Sequence, residues 1–275
     1  MPLDFTLSAY RQLLNALQQA GYAFCTFEDW CEGKAVGRYV ILRHDVDLRA
    51  KRSLVTAKIE AELGIRATYY FRVVPQSKQP AVIKAIADLG HEIGYHYEDL
   101  SLFNGDADKA LNHFKAQLAY FRQFYPVKTI CMHGSPRSKF DNRDVWKLNN
   151  YREFGVIGEP YLDFLSSQQA MNGDITYFTD TARMWDGDKY NVRDKSVISY
   201  QSSIISRQLS GSGSVKMSIH STFNFIEYIK NKPVATGMMI TTHPQRWVDK
   251  PLPWLLELIF QSLKNRVKKM LIARH

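Results

Sequence analysis

Cysteine is scarce: Cys25, Cys31 and Cys131 are the three thiols in 275 residues. They cannot all pair within one chain and none lies in a Cys-x-x-Cys spacing, which excludes a disulfide scaffold and a thiolate zinc ribbon. No apolar run approaches the roughly 18 to 20 residues needed to cross a bilayer, and the mean hydropathy is -0.31, so an integral membrane protein is not expected. The start, MPLDFTLSAYRQ, has Asp4 where a signal peptide needs basic residues and no uninterrupted apolar core behind it. The expectation is a soluble chain that is not exported by the usual route and keeps its thiols reduced in the cytoplasm. No repeat recurs at solenoid periods and no stretch reads as an interdomain linker. Ser-Gly-Ser-Gly-Ser at 210–214 reads as a flexible loop too short to separate domains.

What is present is globular. The chain is 45% hydrophobic and 13% aromatic, and at this length it can bury roughly three quarters of its unfolded surface as one or two domains. Lys and Arg number 36 against 27 Asp and Glu, a formal charge of +9, which suits an anionic partner. The densest basic stretch is Lys264, Arg266, Lys268, Lys269 and Arg274, on a predicted helix 251–272 whose other face carries Leu255, Leu258, Ile259, Leu263, Val267 and Leu271. Such amphipathicity predicts a terminal helix packed on the domain by its apolar face; contact with an anionic membrane surface is the alternative. No nucleic-acid-binding motif accompanies the charge, and nucleic acid is not an expected partner.

A helix is predicted over 6–20, and from there short β-branched or aromatic runs alternate with helical periodicity, the signature of βα units around a mainly parallel sheet. Strands are expected at Val40–Leu42, Ala67–Phe71, Ile93–His96, Val127–Met132, Ile175–Thr179, Val215–His220 and Met238–Thr242. About seven strands suffice to close a barrel. Between them, Val55, Ile59 and Leu63 mark a helix ending at Gly64, Val82, Ile86 and Leu89 one ending at Gly90, and Leu111, Phe114, Leu118 and Phe121 a third. The span from Pro136 to Gly173 is less regular.

Function in such folds gathers where strands end. Asp45 and Asp47 follow the first of these strands, and at i and i+2 on extended backbone their side chains share a face. Two like charges that close call for a cation or a shared proton, although capping or loop aspartates explain the pair equally simply. His96, His133 and His243 close three further strands. Asp with two His around an open position is a ligand set for zinc or another borderline divalent metal. A spare carboxylate can take a proton from water and a further His can protonate a leaving group, which is hydrolase chemistry.

These segments resemble the NodB-type polysaccharide deacetylase superfamily, carbohydrate esterase family 4 in the broad sense, from about Val40 to Trp247. The most specific pieces are ILRHDVD (Ile41 to Asp47), GHEIGYH (Gly90 to His96) and THPQRW (Thr242 to Trp247). The resemblance implies a distorted (β/α) barrel, Asp45 as catalytic base, Asp47 and His96 as metal ligands and His243 as general acid. The D-x-D spacing follows a variant of the first family motif. The second motif's other metal histidine is replaced by Leu100, and His133, where the third motif carries an arginine, is the expected third ligand, with Glu98 in reserve. His91 belongs to a frame that in the family mainly shapes the strand.

Arg43 and His44 are candidates to orient the carboxylates. Tyr69, Tyr70, Arg72, Arg183, Trp185, Asp186 and Trp247 are candidates to line a sugar cleft, with buried packing equally open for the aromatic residues; His220 is a weaker candidate. The combined expectation is one domain over 1–275. Its expected activity is that of a divalent-metal amidase, zinc first, removing an acyl group, acetyl first, from an N-acylated sugar. The substrate would be a saccharide or lipid-linked saccharide of surface polysaccharide or lipopolysaccharide biosynthesis, met in the cytoplasm or at the inner face of the membrane. The alternatives are a non-catalytic saccharide-binding protein on a degenerate deacetylase fold and a glycosyltransferase using Asp45-Val46-Asp47 as a metal-diphosphate D-x-D motif.

Overall fold

The computed structural model describes residues 2–135, 137–167, 175–187, 219–231 and 236–272. Its centre is a parallel sheet with strands β1 (Ala23–Cys25), β2 (Tyr39–Val46), β3 (Thr68–Phe71), β4 (Glu92–Tyr97), β5 (Ile130–Met132), β6 (Ile175–Thr179) and β7 (Gly237–Thr242). The order is β5-β4-β3-β2-β7-β6, with β1 pairing the first half of β2 in line with β3. This is the expected α/β fold, a curled parallel sheet forming a half-barrel; among the described residues no ladder joins β5 to β6. β1 escapes the sequence reading because three residues carry no readable period. Most of the strand expected at 215–220, and the loop at 210–214, lie outside the described residues.

Helices α1 (Leu7–Gln19), α2 (Phe27–Cys31), α3 (Ala50–Glu62), α4 (Pro80–Asp88), α5 (Asp99–Leu102), α6 (Ala107–Phe121), α7 (Thr222–Asn231) and α8 (Pro251–Ile272) accompany the sheet. Thr6 caps α1 by accepting from Ala9 N–H, and Tyr10, Leu13, Leu14 and Leu17 bury one stripe of it. Pro80 opens α4, where its missing N–H costs nothing. Beyond α3 and α4, Gly64 and Gly90 take φ of 70° and 89°, the left-handed turn read from their position in the sequence.

Every residue of β2 is buried, as the central strand of a parallel sheet requires. Alternation sorts it into two faces. Val40, Leu42 and Val46 pack into the larger core with the helices, while Tyr39 and Ile41 join Phe27, Tyr70, Cys131 and Met239 inside the curl. Arg43 and Asp45 continue the inner face. β2 runs on to Val46, so Asp45 lies within the strand and not after it, and only Asp47 lies beyond its end.

Candidate active site

Six parallel strands end at one edge, and the next residue of each is polar: Asp47, Arg72, Glu98, His133, Asp180 and His243. The pairing Val46↔Phe71 aligns β2 with β3, Tyr97↔Met132 aligns β4 with β5, and His44↔Thr242 aligns β2 with β7. The register of the sheet therefore gathers residues up to about 200 apart in sequence, and His96 and Asp45, each two residues upstream on its own strand, complete the group.

Asp47 sits at the centre. Its Oδ1 is 3.6 Å from His96 Nε2 and 3.4 Å from His133 Nε2, and its Oδ2 is 3.8 Å from His243 Nε2. Each ring is turned so that Nε2 faces Asp47 while Nδ1 is engaged behind it. His96 Nδ1 lies 2.9 Å from the Cys131 carbonyl oxygen, an acceptor only, so Nδ1 carries the proton and Nε2 presents a lone pair. His133 Nδ1 lies 2.9 Å from Glu98 Oε2 and His243 Nδ1 2.6 Å from Asp180 Oδ1, which fix the same tautomer. Asp47 Oδ1 is buried and accepts no hydrogen bond. Lone pairs of Asp47, His96 and His133 thus converge, their ligand atoms all within 4.8 Å of one another, with no proton between them. A buried arrangement of that kind fits a cation.

The electrostatics agree. Burial depresses His96 to about 4 against the opposing pull of Asp45, so the ring is neutral and able to ligate near pH 7. Burial works to raise the Asp47 carboxyl, but the charge that His133, His243 and His96 bear when protonated outweighs it and holds it below its ordinary value. Asp45 is likewise pushed up by burial and pulled further down by Arg43 and then His96. The Arg43 guanidinium grips it with two bonds, Nε to Oδ1 at 2.8 Å and Nη2 to Oδ2 at 2.7 Å. A carboxylate so engaged is oriented and ionised, yet 3.7 Å from His96 Nε2 it still borders the group.

No family model and no curated protein matches the sequence. Among solved structures, a family 4 carbohydrate esterase from Bacillus anthracis is 13% identical, covers 92% of this chain and 85% of its own, and superposes with a TM-score of 0.39. A family 4 carbohydrate esterase from Streptomyces lividans in complex with acetate is 14% identical over 86% of this chain and 91% of its own, with a TM-score of 0.37. Superposition at this level leaves the chemistry to be read from the chain's own side chains.

Behind the centre lie partners that the sequence reading did not assign. Asp180, unmarked by any motif, follows β6 and is wholly buried. It accepts from His243 N–H at 3.0 Å, Trp247 Nε1 at 3.0 Å and Arg246 Nη1 at 2.5 Å. Burial pushes it up, but Arg246 and His243 bring it down to about 2. Its only sequence signal is its place, one residue past a predicted strand. Glu98, the reserve ligand, is spoken for: it accepts from Arg72 Nε and Nη2, each at 2.8 Å, and from His133. Burial is again outweighed, here by His133 and Arg72, and Glu98 falls to about 2. A second possible triad, Asp45, His96 and Cys131, is weakened by the grip of Arg43 on Asp45.

Several candidates sit elsewhere. His44 faces the helices, not the site: its Nδ1 is 2.7 Å from Thr242 Oγ1, its Nε2 2.9 Å from Glu60 Oε1, and it stacks on Tyr69. Tyr69 and Tyr70 are wholly buried, donating to Glu60 and meeting Thr129. His91 accepts from Ala67 N–H and donates to the Ala57 carbonyl, a structural role. Trp185 and Trp247 are core, Arg183 is buried between the rings of Phe5 and Trp254, and His220 pairs with Asp186 at 2.8 Å on the surface. Leu100 is buried in the core cluster.

Proposed function

We propose that this chain is a divalent-metal hydrolase that removes an acyl group, acetyl first, from an N-acylated sugar. The observation that carries the reading is the buried, unbonded Asp47 Oδ1 facing two histidine lone pairs, with a restrained carboxylate beside it and a carboxylate-backed histidine across from it. Asp47, His96 and His133 would hold the cation. When bound it supplies Lewis acidity toward a carbonyl oxygen and a water acidic enough to react near neutral pH.

The rest falls to the chain. Asp45, kept ionised by Arg43, accepts a proton from the attacking water; His243 enters the step as the imidazolium, with Nδ1–H on Asp180 and a second proton on Nε2, and passes the Nε2 proton to the departing amine, Asp180 stabilising the ring while it carries charge. Glu98 fixes the tautomer of His133, the carboxylate–histidine support that metal ligands commonly have. Zinc suits a set of two imidazoles and one carboxylate. The D-x-D glycosyltransferase alternative is disfavoured because Asp45 is already occupied by a guanidinium. The place in surface polysaccharide or lipopolysaccharide assembly rests on the sequence resemblance alone.

The test is metal content of the purified protein by mass spectrometry, before and after zinc supplementation, with acetate release from N-acetylated oligosaccharides measured alongside. Stoichiometric metal and chelator-sensitive acetate release are expected. A protein that takes up no divalent metal, or releases acetate equally in chelator, ends this reading.

Glu98→Gln checks the support behind the ligand set. It removes the charge that pairs with Arg72 while preserving shape, and metal affinity measured by competition with a chromogenic chelator is expected to drop about 10- to 100-fold. Unchanged affinity would show that His133 needs no carboxylate behind it.

A further inference from the structure

The last helix is docked the wrong way round for its sequence. Its apolar face was expected to pack on the domain, but Leu252, Leu255, Leu256, Ile259, Phe260 and Leu263 point to solvent, with Leu252 67% and Phe260 59% exposed. The side facing the protein is one aromatic ring and otherwise polar: Trp254 donates from Nε1 to the Asp4 carbonyl at 2.7 Å, Glu257 and Gln261 are buried, Glu257 lies 3.5 Å from Arg49, and Asn265 donates to the Ala182 carbonyl at 3.1 Å. A 22-residue helix is about 33 Å long, so the outward apolar strip is larger than scattered surface leucines explain.

Charge selects the occupant. Glu257 is the single acid in 251–272, and it is turned inward. Lys264 and Arg266 are exposed beside the apolar strip, and the sequence of the helix carries two further lysines. Two copies meeting through this strip would bring those cations together with no acid on the face to neutralise them. A surface of anionic headgroups over acyl chains complements both properties at once. We infer that α8 lies in the plane of an anionic membrane surface, its leucines and phenylalanine in the headgroup boundary and its lysines and arginine on lipid phosphates.

The docking also ties the helix to the site. The turn Thr181–Arg183 leaves Asp180 through two residues with left-handed φ, Ala182 at 65° and Arg183 at 59°. Arg183 stacks on Trp254 with its guanidinium carbon 4.9 Å from the ring centre and donates to the Trp254 carbonyl at 3.3 Å. Helix α8 therefore holds the turn that leaves Asp180, the carboxylate behind His243. This inference is independent of the hydrolase reading, since it is tested by binding.

The experiment is co-sedimentation of the full chain with phosphatidylcholine vesicles, with and without phosphatidylglycerol. The wild-type chain is expected to pellet only with the anionic vesicles and to be released by salt. Lys264→Gln/Arg266→Gln should weaken partitioning about thirtyfold, at about 1 kcal/mol per cation. Ile259→Ser/Leu263→Ser should weaken it about a hundredfold. Both pairs change exposed side chains, and an unaltered melting temperature and metal content verify the fold and the site. Failure of the wild-type chain to bind anionic vesicles overturns the inference. So does equal binding by the variants, or a wild-type dimer in sedimentation velocity that Ile259→Ser/Leu263→Ser dissociates, which would make the occupant a second copy.

Discussion

Asp45→Asn is expected to lower acetate release about 10²- to 10⁴-fold, the usual contribution of a positioned base, while leaving the bound metal in place. The two parts separate the roles of the aspartates. Asp45 has both carboxylate oxygens on Arg43, whereas Asp47 offers a buried oxygen with no donor; the first can move a proton and the second can hold a cation. An asparagine keeps the shape and one acceptor for Arg43 but has no basic oxygen. Steady-state acetate release and metal content, measured on the same preparation, decide it. Metal loss in Asp45→Asn would make Asp45 a ligand, and retained turnover would place the base elsewhere.

The sheet was largely legible because its strands are apolar and its helices end at glycines such as Gly64 and Gly90. The gathering of the centre was legible for a different reason: in a parallel sheet the residue after each strand falls at the same edge, so His133 and His243 could be placed at that edge from their strands alone. Alternation would also have divided Arg43 from His44. Residues i and i+2 share a face, and only Arg43 is two from Asp45.

What sequence could not supply is direction and partnership. Asp180 is one aspartate among many until the three-dimensional register brings His243 to it. Amphipathicity announced that the last helix has an apolar face; it carries no information on which face meets the protein, and there Glu257 and Gln261, buried against the domain, decide. Glu98 was the reserve ligand, and the bonds it accepts from Arg72 turn it to another use.

The largest expected effect on stability belongs to Arg43→Met. Arg43 is wholly buried; besides Asp45 it meets the hydroxyl of Tyr161 at 3.3 Å and sits over that ring at 5.0 Å. Methionine can fill much of the stem volume, but it leaves Asp45 as a buried carboxylate without its cation. Breaking one side of such a pair costs about 3 to 5 kcal/mol, whereas replacing both partners can be close to neutral. Arg43→Met/Asp45→Asn is therefore expected to recover most of the loss, which denaturant midpoints measure as a double-mutant cycle. The pH dependence gives a second check. In the wild-type chain the folded-state carboxyl of Asp45 is lowered, so the pair stabilises above the unfolded value of about 3.9 and fades as pH falls through the lower folded value. Without Arg43 the strongest guanidinium pull is gone and burial disfavours the charged form, so the deficit of Arg43→Met should be larger at pH 7 than at pH 4, where the unfolded carboxyl is itself half protonated. A single and double variant equally unstable, with the same deficit at both pH values, would mean that Arg43 matters through its packing and not through the charge it shares with Asp45.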